Sequence, residues 1–182
     1  MALGAYLASN IYQGEMMELP QYRDIETIFE ICIDEAKKSP CPKRKFGAVL
    51  VKDGEILGIE CNRFVPGMEF ICQDRCIRLN MPSGVDSMVG SCGHAEEWLI
   101  YEALKNGINI EGSDIYVAGI LGDGTYLKKS EPAFYCMRCA MAMLRVGISG
   151  VFVPKIEGGW HYLSSNDAIQ SAYNFAIGKE HA

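Results

Sequence analysis

No stretch of the 182-residue chain is apolar for long enough to span a bilayer. The longest unbroken apolar run, Ile115 to Gly122, falls well short of the roughly 20 residues a spanning helix needs. The N-terminal segment, Met1 to Asn10, lacks a basic region and a clear cleavage site, so no signal peptide is expected. Basic residues are also scarce. Seventeen Lys and Arg stand against 23 Asp and Glu, a net charge of -6. That balance argues against a strong non-specific grip on nucleic acid or an anionic membrane. There is no repeat, no low-complexity tract and no Gly/Ser linker. A single domain over 1–182 is therefore expected, with a core at about 24–154 and a tail at 155–182.

Cysteine is present in some excess. Eight in 182 residues is about 4%, below the density of small disulfide scaffolds. With no secretion signal the expected compartment is a reducing cytoplasm, where clustered cysteines are more often metal ligands than disulfides.

Hydrophobic spacing outlines the fold. Ile25, Ile28, Phe29, Cys32 and Ala36 predict a helix over 24–38, with Asp24 as its N-cap. Residues 46–52 and 55–60 read as strands joined by an Asp53-Gly54 type I′ turn. Residues 61–92 read as irregular and hold several of the cysteines, which suggests that a metal holds them. A helix is predicted over 93–106, a buried strand over 114–121 and a polar loop over 122–134. A helix over 136–146, a strand over 151–153 and a tail helix near 166–176 complete the pattern. Strands alternating with helices imply an α/β sheet covered on both faces.

The chemistry sits at two helix starts, His94-Ala95-Glu96 and Cys136-Met137-Arg138-Cys139. One imidazole and two thiolates suit zinc, and three protein ligands leave a fourth position for water, whose pKa zinc lowers to about 7. A helix N-terminus favours thiolate over thiol. Glu96, two residues beyond His94, could carry the proton from water to a ring nitrogen and to leaving ammonia. Taken singly, the Cys pair also reads as a redox pair or a structural half-site, and the His-Ala-Glu as a capping acid. Together and in this order they match the pattern of zinc-dependent nucleobase deaminases.

From about Glu30 to Pro154 the chain resembles the cytidine and deoxycytidylate deaminase superfamily, most closely its deoxycytidylate branch. The resemblance is carried by Ser39-Pro40-Cys41 through Asp53-Gly54, by Gly58 to Asn62, and by Cys76 to Gly84 with Cys92. It continues in His94-Ala95-Glu96 and in the Ile110 to Val117 strand. It implies a three-layer α/β/α fold around a mixed five-stranded sheet. It also implies zinc on His94, Cys136 and Cys139, Glu96 as proton shuttle, and substrate contacts from Asn62 and the Ala95 N–H. The implied reaction is dCMP to dUMP with loss of ammonia, in a homo-oligomer. Some members hold a second, structural zinc on cysteines matching Cys41 and Cys72; a Cys41, Cys72, Cys76, Cys92 site is expected here. The acidic charge favours a small nucleotide over a polynucleotide.

Two positions depart from the family pattern. Tyr135 precedes Cys136 where Pro is usual, and Trp98 stands where Asn is common. Both bear on substrate identity, because a bulky aromatic beside the pocket would stack on a different ring or block a phosphate. Deamination of another amino-heterocycle (a free base, a guanine- or pterin-like ring, an RNA base) is the alternative. A non-catalytic zinc-binding protein is the more distant one. Cys32 and Cys61 read as core residues, and His161 as a surface residue.

Overall fold

The computed structural model describes residues 25–69, 76, 78, 92–128 and 135–178. Helix α1 is Ile25–Lys37. Its Ile28, Cys32 and Ala36 are buried as the sequence predicts and Ile33 joins them, while Ile25, expected on the same stripe, is exposed. Asp24, the expected N-cap, lies outside the described residues. Strands β1, Arg44–Lys52, and β2, Glu55–Cys61, form an antiparallel hairpin. Asp53 and Gly54 take φ of 52° and 80°, the paired positive values a type I′ turn requires.

Two short strands follow, β3 at Arg63–Phe64 and β4 at Cys92–Gly93, paired with one another. Helix α2 is Ala95–Lys105, and strand β5 is Asp114–Leu121, the range the sequence predicts. Next come β6, Tyr126–Leu127, and helix α3, Met137–Arg145. Strands β7, Gly150–Pro154, and β8, Trp160–Ser164, lead into helix α4, Ser165–Ala176. The main sheet runs β2-β1-β5-β7-β8, a five-strand path, and β6 adds a sixth strand against the end of β5. The β5–β7 pair is parallel and the other pairs antiparallel, so the sheet is mixed.

Alternation along the central strands divides the core into two layers. Ala48, Leu50, Ile115 and Val117 face one side, where α2 contributes Leu99, Ile100 and Ala103. Helix α3 adds Cys139, Ala140 and Met143 to that layer, and α4 adds Ala168. Val49, Val51, Tyr116, Ala118 and Ile120 face the other side, against α1. The three-layer α/β/α arrangement follows, with α2 and α3 delivering their N-termini over the same face of the sheet. Gly47 lets α1 lie close on β1, since a Cβ there would overlap the Cys32 carbonyl oxygen and crowd Ala36 N at 2.7 Å.

Several expectations change: the loop expected over 122–134 holds β6, and the stretch read as irregular over 61–92 holds β3 and the start of β4. The tail contains a strand, β8, and His161 on it is buried, only 7% exposed, where a surface residue was expected. Trp160 packs edge-on to Phe29 of α1 and to Tyr116 of β5, so this hairpin completes the core. Cys32 and Cys61 are buried, as expected. Among the described residues no helix is long and apolar enough to cross a membrane.

Candidate metal centre and active site

The α2 N-terminus begins with His94 as its N-cap, in an extended conformation that turns the chain into the helix. The α3 N-terminus begins with Cys136 in the same role, and Cys139 follows within the first turn. Because α2 and α3 cover one face of the sheet, these two ends meet. The ligand atoms of His94, Cys136 and Cys139 all lie within 4.8 Å of one another, and His94 Nδ1 is 3.2 Å from Cys139 Sγ. Among the described residues this is the one metal-capable group of three or more such side chains.

The protons of these three groups are tightly coupled. A hydrogen bond from Cys139 pulls Cys136 down to about 3, against its burial, and His94 pulls the same way. Cys139 is pushed well above its ordinary value, first because it donates to Cys136 and then because it is buried. Burial disfavours a charged His94, but the Cys136 thiolate and the carboxylates of Glu96 and Glu97 outweigh it and raise the imidazole to about 9. Zinc takes a neutral imidazole and deprotonated sulfurs, so binding it there would release the protons held on His94 and Cys139. An imidazole and two sulfurs, converging and largely buried, are the donors that suit zinc.

Glu96 is buried beside this triangle, and its carboxyl accepts a 2.8 Å hydrogen bond from the hydroxyl of Tyr135. Burial raises the Glu96 pKa, opposed by His94 and by the Tyr135 bond. Tyr135 is itself 4% exposed, so the departure noted at this position places a hydroxyl against the expected proton shuttle.

Glu97 is the next residue and is also buried. Its Oε2 accepts from the His94 backbone N–H at 2.9 Å. Arg138, between the two cysteines, donates Nη2 to both Glu97 oxygens at 2.8 Å and Nε to Oε1 at 3.2 Å. Neither Glu97 nor Arg138 was singled out from the sequence. The local signal was the acidic residue three positions after the helix-starting His94, a capping-box spacing.

Asn62 is buried, and its carboxamide is held by the start of β1. Oδ1 accepts from Phe46 N at 2.7 Å, and Nδ2 donates to the Arg44 carbonyl at 3.1 Å. Ala95 is fully buried at the first position of α2, where a backbone N–H has no partner within the helix. Trp98 docks against β3 and β4. Its Nε1 donates to the Arg63 carbonyl at 3.2 Å, the Arg63 guanidinium lies 4.3 Å over the ring, and the indole packs on Gly93. Of the cysteines expected to hold a second zinc, Cys41 and Cys76 are buried and Cys92 is part-buried, while Cys72 lies outside the described residues.

The family described as the cytidine and deoxycytidylate deaminase zinc-binding region matches residues 22–155. The chain belongs to this family. It is a hydrolytic deaminase with a zinc site, and the His94–Cys136–Cys139 group is where its side chains can hold the metal. No curated protein sequence gives a significant match. Among solved structures the chain is similar to the dCMP deaminase of cyanophage S-TIM5 in complex with dCMP and dUMP. That likeness has a TM-score of 0.52 at 20% identity, over 81% of this chain and 90% of the phage enzyme. It is also similar to a cytidine deaminase from Burkholderia pseudomallei, with a TM-score of 0.51 at 19% identity, over 80% of this chain and 96% of that one. Both likenesses concern the fold, the expected α/β deaminase architecture.

Proposed function

We propose that this family member converts dCMP and water to dUMP and ammonia, using zinc. The observation that carries the reading is the buried Glu96 carboxyl beside the convergent His94, Cys136 and Cys139 side chains. Zinc on those three residues supplies the Lewis acidity that makes water a nucleophile near neutral pH. Glu96 takes the proton that water releases on attacking C4 of the pyrimidine. It then returns protons to the ring nitrogen and to the departing ammonia. Burial raises the Glu96 pKa, which helps one group both to accept and to return a proton. Tyr135 fixes which way that carboxyl points.

Asn62 and the Ala95 N–H are assigned to substrate contact. The Asn62 amide is oriented by β1, with one Nδ2 hydrogen spent on Arg44 and a second for a ligand. A nucleotide is favoured by the match to the deoxycytidylate branch at Ser39 to Gly54. It is favoured too by the docking of Trp98 on Arg63 and Gly93, which gives its ring a structural task. Cytidine is the second reading, supported by a fold neighbour of equal similarity that is a cytidine deaminase. A second zinc on Cys41, Cys72, Cys76 and Cys92, a homo-oligomer and a cytoplasmic location belong to the same proposal. Exposed Tyr101 and Leu104 on α2, with Met141 and Leu144 on α3, support the oligomer.

The test is ammonia release from dCMP, cytidine, cytosine, guanine and pterins at equal concentration. The expected result is kcat/KM highest for dCMP. A preference for a free base or pterin by orders of magnitude would overturn the substrate assignment.

A further inference from the structure

We propose that the Glu97–Arg138 ion pair is the positioning device of the metal centre, setting how tightly and in what geometry zinc is held. The inference rests on the zinc reading of the same site. Its basis is that one carboxylate joins both ligand-bearing helix ends. Glu97 Oε2 accepts from the backbone N–H of His94, at 2.9 Å, and from Arg138 Nη2, at 2.8 Å. Oε1 accepts from Nε and Nη2 of the same guanidinium. His94 begins α2, while Arg138 lies in the first turn of α3, between Cys136 and Cys139. Displacing the guanidinium therefore displaces the turn that carries both sulfurs, and displacing Glu97 releases the backbone that carries the imidazole.

Burial gives the pair its stiffness. The Glu97 side chain is 7% exposed and that of Arg138 is 31% exposed. A forked guanidinium meeting a carboxylate through several bonds fixes orientation as well as distance, which a lysine ammonium cannot do. Arg138 also brings a positive charge beside Cys136 and Cys139, while Glu97 balances that charge. Neither side chain is needed as a ligand, because His94, Cys136 and Cys139 supply three. Partners of this kind, behind the ligands, typically alter metal affinity by about 10–100-fold when removed.

The experiment is zinc competition between the holoprotein and a chromophoric chelator, for wild type, Glu97→Gln, Arg138→Gln, Arg138→Lys and the double Glu97→Gln/Arg138→Gln. Each single variant is expected to weaken zinc binding about 10–100-fold. The double variant should be no weaker than the worse single one, because the two residues act as one unit. Arg138→Lys should recover only part of the loss. The double variant leaves no unpaired buried charge, so it reads the effect even where a single variant fails to fold. Cobalt substitution gives a second readout, with visible bands from thiolate ligands that shift in the variants. Zinc affinities within twofold of wild type in a folded double variant, or melting temperatures lowered equally with and without zinc, would overturn the proposal. A wild-type protein that binds no zinc would instead overturn the zinc reading beneath it.

Discussion

At the scale of single residues, the most informative side chain is Tyr135, which breaks the family pattern and touches Glu96. Its hydroxyl is buried and 2.8 Å from the carboxyl, so removing it frees the carboxyl to rotate. Tyr135→Phe is expected to lower kcat about tenfold, the loss of roughly 1.4 kcal/mol of transition-state stabilisation. KM and zinc content should stay near wild type, because Phe keeps the packing and Tyr135 is not a ligand. Steady-state kinetics with metal analysis checks this, and an unchanged kcat would remove Tyr135 from the mechanism. The candidate ligands His94, Cys136 and Cys139, and Glu96 beside them, stand out in the sequence because each motif is local to one helix start. The Tyr135–Glu96 and Arg138–Glu97 contacts join residues 39 and 41 positions apart. Only the packing of α2 beside α3 on one sheet face creates them.

At the scale of elements, β5 carries a cost at its first residue. Asp114 Oδ1 is buried without a hydrogen-bond partner among the described residues, and burial raises the carboxyl above its ordinary 3.8, opposed by a bond from Gly150. A raised native pKa means the folded state binds more protons than the unfolded chain. Stability therefore falls as pH rises through the window above 3.8, and the deficit persists at neutral pH. Asp114→Asn is expected to raise the melting temperature slightly at pH 7, the gain being small because the part-exposed carboxyl is screened by solvent, with no gain below the ordinary carboxylate pKa. Thermal melts at pH 7 and pH 3 check it; equal gains at both would show the charge to be irrelevant. Elements with local signals were legible here. The Asp53-Gly54 turn, the α1 stripe and the apolar run of β5 all read directly. Strand β8 was missed because it is short and follows a proline and a glycine-rich turn. Gly158 and Gly159, with φ of 99° and 73°, were the overlooked hairpin signal.

At the scale of the whole molecule, the metal centre ties together two helices that otherwise meet through a few side chains. Anything that binds only the folded state stabilises it, by about 2.7 kcal/mol at 100 times its dissociation constant. Removing zinc with a chelator is therefore expected to lower the melting temperature by several degrees, and restoring zinc should reverse the loss. Scanning fluorimetry with added chelator and then excess zinc reads this, and an unchanged melt would separate the metal from the fold. The three layers themselves were legible from alternating strands and helices. The division of the core was not legible, since residues 48–51 of β1 are all apolar and only the structure assigns them alternately to the two faces. The central claim concerns what the assembled molecule does, and one assay addresses it directly. Loss of cytosine absorbance with formation of dUMP and ammonia is followed for wild type and Glu96→Gln, at matched zinc content. The account predicts turnover of dCMP by the wild type, and a fall of about 10²–10⁴-fold in the variant with its zinc retained. Equal turnover by the two proteins, or no dCMP turnover by zinc-loaded wild type, would contradict it.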